Sequence, residues 1–470
     1  MECAAGTTAN DGAALYRRRR PERTLLYRTV QANLVTWLAL ADDGDPVPAY
    51  VEQTFRRYLE CGVLAHGFAR ARCAQCGHDF LIAFSCKGRG ICPSCNTRRM
   101  VATAAHLTDN VLPRLPMRQW VLAVPKRIRY FLQRDAHLQG TALRLFLRTV
   151  EQCLRANSPD ASASARLGAI AFIHRFGSTL NAHLHFHCVV IDGVFDTTAA
   201  GEVVFHAVTE LDPNAITSVE TRARQRMLQS FTRRGLLPAD DARAMGQWEH
   251  GGGFSVDASV RVEATDRAGR ERLLRYCARP PFALDRLREL DSDHLAYDNP
   301  RPGPGAPATL VLTPLELLDR LAPLVPPPRI HGHRYFGVLA PNSPLRPAVT
   351  ALAPAAAAAP PATPPDPTEA EPAVRRAARL AWALLLARIY EVFPLRCARC
   401  GGEMRISAFI VDAPAVRAIL THLGEPTAPP PIASARGPPL WQVAGAEPDP
   451  PADPVIQPDP SFEFDQRLTW

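Results

Sequence analysis

The sequence predicts an α+β fold, in which N-terminal helices and a zinc-ribbon module precede an antiparallel sheet with helices on one face. Three observations predict it. Apolar residues recur at helical spacing ahead of two Cys-x-x-Cys pairs. Strand-like runs in the middle of the chain are joined by turn residues, and a run of Ala and Pro after residue 352 sets apart a small C-terminal segment.

Length and composition indicate a globular protein of several domains. The chain of 470 residues exceeds one ordinary domain, and 47% hydrophobic with 21% charged residues excludes a wholly disordered chain. The net charge is +8, and every basic residue except Lys87 and Lys126 is Arg. Guanidinium groups suit phosphate contacts, so this balance favours a polyanionic partner, although an Arg-biased genome would explain it equally well.

The sequence predicts a cytoplasmic protein that does not enter a membrane. The longest apolar run, Leu380 to Ala387, is much shorter than the roughly 20 residues that a membrane span needs, and the N-terminus lacks a signal-peptide core. The 12 cysteines are then expected in a reducing compartment, where paired spacing indicates metal sites rather than disulfides.

Seven segments are predicted along the chain. Residues 1–60 form an N-terminal helical region, with two helices between Leu25 and Cys61. The other segments are a zinc-binding domain at 61–105, a catalytic domain at 106–290, its extension at 291–352, an Ala/Pro linker at 353–373, a C-terminal helix with a Cys pair at 374–424, and a disordered tail at 425–470.

The middle of the chain mixes strands and helices. Three runs read as strands: Trp120 to Val124, Ala169 to Phe176, and Ala182 to Ile191. Asp192-Gly193 is a typical hairpin turn and predicts that the next strand pairs back onto the same sheet. Helices are expected from Ile128 to Cys153 and from Arg270 to Ala278, where two prolines stop the second one.

The first metal motif is two Cys-x-x-Cys pairs with 15 residues between them: Cys73, Cys76, Cys92 and Cys95. Four thiolates at this spacing predict one closed tetrahedral zinc site of structural role, in which Cys86 or His66 could replace a ligand. Four neighbouring basic residues are either contacts to DNA phosphates or a solvated surface: Lys87, Arg89, Arg98 and Arg99.

A second cysteine pair, Cys397 and Cys400, lies near the C-terminal end and has no Cys-x-x-Cys pair after it. It is either a free pair or half of a second metal site that distant ligands complete.

Three histidines alternate along one predicted strand. His183, His185 and His187 therefore project from the same face, where they indicate a divalent metal site, with a solvated polar face as the alternative. His183 is the first choice for a third ligand beside the other two. Asp192, past the strand end, and Asp285, after the next helix, are the other choices.

Tyr276 lies on the predicted helix with Arg272 and Arg279 about one turn to either side. Arginine beside a phenol would hold a phosphate and stabilise the phenolate. Alone, such a tyrosine is better explained as a packed aromatic residue, but the histidine strand upstream favours a catalytic role. Tyr297 and Tyr335 are weaker alternatives because neither lies in a motif.

Four motifs in order resemble the rolling-circle transposases of the insertion-sequence ninety-one family. Their zinc-binding N-terminal domain is similar to HGFARARCAQCGHDFLIAFSCKGRGICPSCNTRRM, and their HUH motif (His, bulky apolar, His) to RFGSTLNAHLHFHCVVIDGVF. Their catalytic-tyrosine helix is similar to GRERLLRYCARPPFA, and the segment after it to LTPLELLDRLAPLVPPPRIHGHRYFGVLAPNSPLR. The C-terminal FPLRCARCGGEMRISAFI adds to the likeness.

The resemblance implies an enzyme that nicks single-stranded DNA at element ends, forms a 5′-phosphotyrosine and transfers the strand. By position the HUH pair is His185 and His187, and the nucleophile is Tyr276. Catalytic Mg²⁺ or Mn²⁺, structural Zn²⁺, a DNA partner and a homo-oligomer on DNA are implied with it. Arg272 occupies the place of the second tyrosine that many members carry, so the chain resembles the single-tyrosine, common-region branch.

Two other functions stay open at this point. One is a non-enzymatic, zinc-containing DNA-binding protein related to transposases. The other is a metal-dependent hydrolase with an His-x-His strand, which predicts a later series of His and Asp at strand ends that the sequence does not show.

Overall fold

The structure is a computed structural model that describes residues 19–42, 46–248, 253–299, 302, 307–353, 397, 399–402 and 404–436. It divides into two compact units: residues 1–102 with 362–436, and residues 103–361 with 437–470. The first 18 residues, the predicted linker beyond residue 353, the predicted helix from Val374 to Val392 and the predicted tail beyond residue 436 lie outside the described residues.

The first unit is built from both ends of the chain. Its helices are α1 (Leu25–Asp42), α2 (Ala49–Glu60), the start of α3 (Pro93–Asn110) and α11 (Ala413–His422), and its strands are β1 (Phe68–Cys73), β2 (Asp79–Ala83) and β14 (Met404–Ile410). Strand β1 pairs antiparallel with β2 on one side and with β14 on the other. Beside this sheet, Leu64 and Phe68 pack against Val416 and Leu420, which seals the C-terminal helix onto the N-terminal strands.

Residues 425–436, predicted as part of a disordered tail, run along α1. The backbone N–H of Ala433 donates to the carbonyl of Gln31 at 3.1 Å, and the side-chain amide of Gln31 donates to the carbonyl of Pro431 at 2.8 Å. Further along, the N–H of Arg436 donates to the hydroxyl of Thr36 at 2.9 Å. These hydrogen bonds give the proline-rich segment backbone partners that composition alone does not reveal.

The second unit contains a six-stranded antiparallel sheet. Its strands are β3 (Met117–Ala123), β4 (Gly168–Phe176), β5 (Ala182–Ile191), β8 (Ser255–Asp257), β9 (Arg261–Val262) and β13 (His333–Gly337). Across the sheet they lie in the order β13-β4-β5-β3-β8, and β9 also pairs with β3. The α+β class is therefore confirmed. Strand β5, which carries the alternating histidines, lies in the middle of the sheet between β4 and β3.

Helices cover both faces of this sheet, where the sequence predicted one. The helices of the unit are α4 (Lys126–Arg134), α5 (Ala136–Ala156), α6 (Pro213–Arg233), α7 (Ala239–Gln247), α8 (Arg267–Cys277), α9 (Pro314–Leu321) and α10 (Arg346–Ala351). Leu184 and Phe186 of β5 pack into a core with α4 to α7. Alternate residues such as Val189 face a second core that holds the end of α3 and the Leu273–Leu274 pair of α8.

The predicted hairpin at Asp192-Gly193 is wrong. Strand β6 (Gly193–Thr197) leaves the main sheet and pairs with β7 (Val203–Ala207) in a separate two-stranded sheet. Asp192 is buried and held by Arg118 and Arg261, at 3.0 and 2.7 Å from their Nε atoms, so the chain is anchored where a turn was expected. Gly193 is needed there, because a Cβ would lie 2.3 Å from the carbonyl oxygen of His206.

A small three-stranded sheet completes the second unit, formed by β10 (Leu287–Glu289), β11 (Leu295–Asp298) and β12 (Thr309–Leu312). Across both units, none of the helices within the described ranges has the length and apolar character required to span a bilayer.

Candidate active site and metal centres

Three buried histidines meet on the α8 face of the main sheet. His174 of β4 lies directly opposite His185 in the strand register, and His187 follows two residues along β5. One ring nitrogen from each lies within 4.8 Å of the others. We call these three residues the histidine cluster. His183, the predicted third ligand, stands beside His185 with ring centroids 5.2 Å apart but is not part of the cluster, since His174 takes that place.

In each imidazole of the histidine cluster, one ring nitrogen, here called the outer nitrogen, lies within hydrogen-bond distance of a protein group outside the cluster. His174 Nε2 lies 2.6 Å from the carbonyl oxygen of Cys277, and His185 Nδ1 lies 3.1 Å from the carbonyl oxygen of His183. A carbonyl can only accept, so these nitrogens carry the proton and the opposite nitrogens keep a lone pair. This arrangement of outer hydrogen bonds is the one that orients histidine ligands around a metal.

Gln119 of β3 supplies the third outer partner. Its side-chain amide lies 2.8 Å from His187 Nδ1, and both groups are buried. Amide oxygen and nitrogen exchange places on a half-turn, so Oε1 can accept from His187 Nδ1–H. Such a bond would leave His187 Nε2 with its lone pair toward the cluster.

The electrostatics of the histidine cluster favour neutral rings. Burial lowers the pKa of His174 to about 3, with a further contribution from the charge of Arg279. Burial also holds the pKa values of His185 and His187 well below the ordinary value, and the neighbouring His174 adds to both shifts. Neutral imidazole is the form that binds a cation, so near neutral pH the ligands are ready without losing protons.

The cluster fits a metal ion on its own chemistry. Among the described residues, Nδ1 of His174 is buried and has no hydrogen-bond partner. A buried polar atom of this kind is costly unless something else satisfies it. A cation held by three imidazole nitrogens would do so.

Tyr276 lies against this cluster. Its ring packs edge to face on His187, with centroids 5.5 Å apart at 80°. Helix α8 ends one residue later, at Cys277, and the carbonyl of Cys277 is the group that His174 contacts. The two prolines at 280 and 281 prevent the helix from continuing, so the tyrosine is fixed at the helix end beside the sheet.

The two arginines predicted around Tyr276 have different surroundings. Arg279 lies beyond the helix end and places its guanidinium carbon 4.6 Å from the centroid of the Tyr276 ring. Arg272 is 65% exposed, and its guanidinium lies 3.9 Å from the carboxylate of Asp266 at the other end of the helix. The geometry therefore supports a role at the tyrosine for Arg279 and gives Arg272 a surface position.

The other candidates for nucleophile and ligand lie in different environments. Tyr297 is buried in the small sheet with its hydroxyl 3.4 Å from the N–H of Ala283, and burial raises its pKa. Tyr335 is half-buried beneath the guanidinium of Arg346, 4.7 Å from its ring centroid. Asp192 is held by two arginines, and Asp285 is exposed.

The six cysteines between residues 61 and 95 form two clusters of four with the C-terminal pair, and the predicted grouping is wrong. Cys92 and Cys95 meet Cys61 and Cys86, with sulfur separations of 3.5 to 3.7 Å along three edges. The second cluster consists of Cys73, Cys76, Cys397 and Cys400. Spacing along the chain cannot show which pairs face each other, because β14 brings the distant pair beside the end of β1.

The first of these clusters has the dimensions of a tetrahedral zinc site. Zn–S bonds of about 2.3 Å put neighbouring sulfurs about 3.8 Å apart, close to the observed edges, whereas a disulfide would need about 2.05 Å. Cys86, named from the sequence as a substitute ligand, is in this cluster, whereas His66 is exposed on a short 3-10 helix.

Among the predicted DNA-contacting residues, Arg99 donates to the carbonyl of Lys87 beside Cys86, and Arg89 and Arg98 are partly exposed nearby in the chain.

The residues that sequence reasoning missed are His174, Gln119 and Cys61. A signal for His174 was present, because only five residues separate the predicted strands Ala169 to Phe176 and Ala182 to Ile191, and a short connection between paired strands brings His174 opposite His185. Gln119 sits at an ordinary position of a neighbouring strand, two residues along from the partner of His187, and carries no motif.

Comparison with known proteins matches both units. Residues 34–124 match the family described as "Transposase zinc-binding domain", and residues 168–346 match the family described as "Putative transposase". The "Putative transposase y4qJ" of Sinorhizobium fredii is 32% identical over 139 residues, which are 29% of this chain and 33% of that protein. The chain thus spans about a third of the length of this curated relative. No solved structure matches.

The histidine cluster and Tyr276 both fall inside the second matched range, and the cluster of Cys61, Cys86, Cys92 and Cys95 falls inside the first. The chain belongs to the transposases of the insertion-sequence ninety-one (IS91) type, with an N-terminal zinc-binding domain ahead of the transposase domain.

Proposed function

We propose that this protein is a metal-dependent single-strand DNA endonuclease and strand transferase, which moves a mobile element by rolling-circle transposition with Tyr276 as its nucleophile. The edge-to-face contact between Tyr276 and His187 carries this proposal. Such a contact would let the phenol oxygen and a metal ion in the cluster act on the same phosphodiester. The family match supports the same reaction class.

The chain's own residues account for the transfer. The Tyr276 oxygen attacks phosphorus in line and forms an oxygen–phosphorus bond, while the bond from phosphorus to the 3′-oxygen breaks. The phenolic proton passes to water, and the departing 3′-oxygen gains a proton, which leaves a 5′-phosphotyrosine and a 3′-hydroxyl. A 3′-hydroxyl then attacks the phosphotyrosine and restores Tyr276. One phosphoester replaces another at each step, so no nucleotide cofactor is needed.

Arg279 would serve the phosphate and the phenolate together. Its guanidinium lies over the Tyr276 ring, and its Nε is buried without a hydrogen-bond partner among the described residues. A buried donor of this kind suits an anion that arrives with the substrate. It would also favour the ionised tyrosine by its charge.

His174, His185 and His187 would hold the divalent ion, which when bound polarises the scissile phosphate and helps the 3′-oxygen to leave. All three ligands are imidazoles, a donor set that suits transition metals better than Mg²⁺. Of the two ions that the sequence resemblance implies, we therefore propose Mn²⁺. Zn²⁺ is proposed as the structural ion of the cluster of Cys61, Cys86, Cys92 and Cys95, which lies within the matched zinc-binding domain.

Helix α4 offers a surface for the unpaired strand next to the site. Its nine residues carry four cations and no acidic group, and Gln133 at its end donates to the carbonyl of Ala182 at the start of β5. Tyr130 is 53% exposed with the guanidinium carbon of Arg134 at 3.8 Å from its ring centroid. An aromatic face beside cations is the usual means of holding single-stranded DNA.

Strand transfer with one tyrosine has two routes. Either the same phosphotyrosine is attacked directly, or a second copy of the chain supplies another Tyr276. The alternative to all of this is a DNA-binding relative that has no enzymatic activity.

Covalent trapping tests the proposal. The full chain is incubated with Mn²⁺ and a random-sequence library of single-stranded DNA hairpins, then denatured, and the adduct is located by mass spectrometry. We expect an oligonucleotide on Tyr276, no adduct with Tyr276→Phe despite intact DNA binding, and an unchanged adduct with the control Tyr297→Phe. Trapping by Tyr276→Phe at the wild-type level would overturn the assignment, and a wild type that binds DNA without any adduct would favour the non-enzymatic reading.

A further inference from the structure

Two cysteine knuckles from opposite ends of the chain have the same internal geometry. In the first, the N–H of Cys73 donates to the carbonyl of His78 at 2.8 Å, and the N–H of Gly77 donates back to the carbonyl of Cys73 at 3.2 Å. Gly77 has a φ of 68°, a conformation that residues with a Cβ rarely adopt.

The second knuckle repeats each of these features. The N–H of Cys397 donates to the carbonyl of Gly402 at 2.8 Å, and that of Gly401 donates to the carbonyl of Cys397 at 2.9 Å. Gly401 has a φ of 71°. The two turns are therefore equivalent structures, although their first cysteines are 324 residues apart by their numbers, 73 and 397.

The sulfurs of the two knuckles face each other at zinc-like separations. Cys73 and Cys400 are 3.5 Å apart, as are Cys76 and Cys397. These edges lie near the roughly 3.8 Å of a tetrahedral zinc–thiolate site and well beyond a disulfide of about 2.05 Å.

Backbone donors point at the sulfurs as well. The N–H of Cys76 lies 3.5 Å from the Cys73 sulfur, and the N–H of Arg399 lies 3.4 Å from the Cys397 sulfur. Donors so placed stabilise thiolates, the form that binds a metal. Cys76 and Cys400 are exposed, so burial of apolar surface does not account for the approach of all four sulfurs.

The surrounding structure holds this arrangement. Cys73 ends β1 opposite Met404, the first residue of β14. Ala71 packs with Cys73, Cys397 and Met404 in a small buried core beneath the knuckles. Cys73 and Cys76 lie in the range that matches the zinc-binding domain, whereas Cys397 and Cys400 lie outside both matched ranges, so the matched ranges contain only half of this cluster.

We infer that Cys73, Cys76, Cys397 and Cys400 bind a second zinc ion, which fastens residues 397–436 to the N-terminal zinc module. The four thiolates complete the coordination shell, so the role of the ion is structural. This inference does not depend on the nicking reaction, since it concerns the other unit of the chain.

The zinc content of the full chain tests it. We expect two zinc ions per chain by elemental analysis, one for each four-cysteine cluster. The double substitution Cys397→Ser with Cys400→Ser should lower this to one ion, and so should Cys61→Ser with Cys86→Ser. The matched control is Cys153→Ser, because Cys153 is outside both clusters. One ion in the wild type, an unchanged content in the Cys397 and Cys400 variant, or iron in place of zinc would overturn the inference.

Alkylation of the wild-type protein provides a test that needs no variant to fold. Without chelator, Cys76 and Cys400 should resist iodoacetamide despite their exposure, and a chelator should make all four cysteines of the site reactive together. Labelling of Cys397 and Cys400 in the untreated protein, with Cys73 and Cys76 still protected, would contradict a shared ion. Neither result bears on the adduct at Tyr276, so failure of this inference is distinguishable from failure of the proposed function.

Discussion

His174 reaches across to the residue that follows the tyrosine: its Nε2 donates to the carbonyl of Cys277 at 2.6 Å. One side chain thereby joins the strand that carries it, the histidine cluster and the end of α8. If the cluster binds the catalytic ion, the same contact sets the position of Tyr276 relative to that ion.

His174 and His183 should differ sharply when substituted. We expect His174→Ala to weaken Mn²⁺ binding by more than the 10- to 100-fold that loss of an outer-shell partner costs, because it removes a ligand. His183→Ala should change Mn²⁺ affinity by less than about 10-fold, since His183 lies outside the cluster. Calorimetric titration with Mn²⁺ measures both, and equal losses would contradict the assignment of His174.

Gln119 should act by orienting His187. Gln119→Met keeps the volume but removes the acceptor for His187 Nδ1–H, so we expect about 10- to 100-fold weaker Mn²⁺ binding. Gln119→Glu retains an acceptor and should restore most of the affinity. Gln133→Met, on the exposed end of α4, is the matched control and should bind as the wild type does. Failure of glutamate to rescue would indicate a packing role instead.

Arg279 should matter for chemistry more than for metal binding. Removing a positioned donor to a developing negative charge typically costs about 10²- to 10³-fold in rate, and we expect Arg279→Met to slow adduct formation to this extent while Mn²⁺ affinity is retained. Arg272→Met should have little effect, because its guanidinium faces Asp266 and solvent. Single-turnover trapping gives the rates, and an equal loss for both variants would argue against this distinction.

Acid should destabilise the Mn²⁺-free protein through His174. Its folded-state pKa of about 3 lies below the unfolded value of 6.5, so the unfolded chain gains a proton that the folded chain does not. This contribution to stability is complete above pH 6.5 and is lost as the pH falls toward 3, by about 1.4 kcal/mol per pH unit. Urea unfolding from about pH 7 to pH 5 should show a shallower decline for His174→Phe than for the wild type. Parallel curves would contradict the low pKa.

The surface of α4 should contribute to DNA binding in two separable ways. Tyr130→Ala should weaken binding of single-stranded DNA by about 1–3 kcal/mol with little change in salt dependence, because it removes stacking. Arg134→Ala should lower the slope of log affinity against log salt by about one, because it removes a phosphate contact. Arg234→Ala, an exposed arginine beyond α6, serves as the control. Unchanged binding in both α4 variants would exclude this surface.

Much of the second unit could be predicted from local pattern. The bounds of β5 at Ala182 and Ile191 agree with the sequence, because turn residues and alternating polarity mark both ends. The same alternation puts His185 and His187 on one face. Helix α8 was predicted because the prolines after it fix its end. It begins at Arg267, three residues before the predicted start at Arg270, because the carboxylate of Asp266 caps its N-terminus.

What could not be predicted depends on pairing between distant segments. His174 enters the cluster through the register of β4 on β5, which includes an irregularity between His174 and Phe176. The cysteine pairs could be matched in several ways, and each match satisfies the same local spacing. The pairing of β14 with β1 decides which cysteine pairs share a cluster. It brings together Cys73 and Cys400, which are 327 residues apart in the chain.

The pairing of β14 with β1 has a consequence during synthesis. Cys73 and Cys76 are synthesised long before Cys397. One edge of β1 and these two thiols therefore have no partner while the whole transposase domain is translated. A premature stop or frameshift anywhere in that interval leaves the edge bare, and uncovered strand edges are liable to aggregation. The first unit is therefore completed only in a chain that extends through β14.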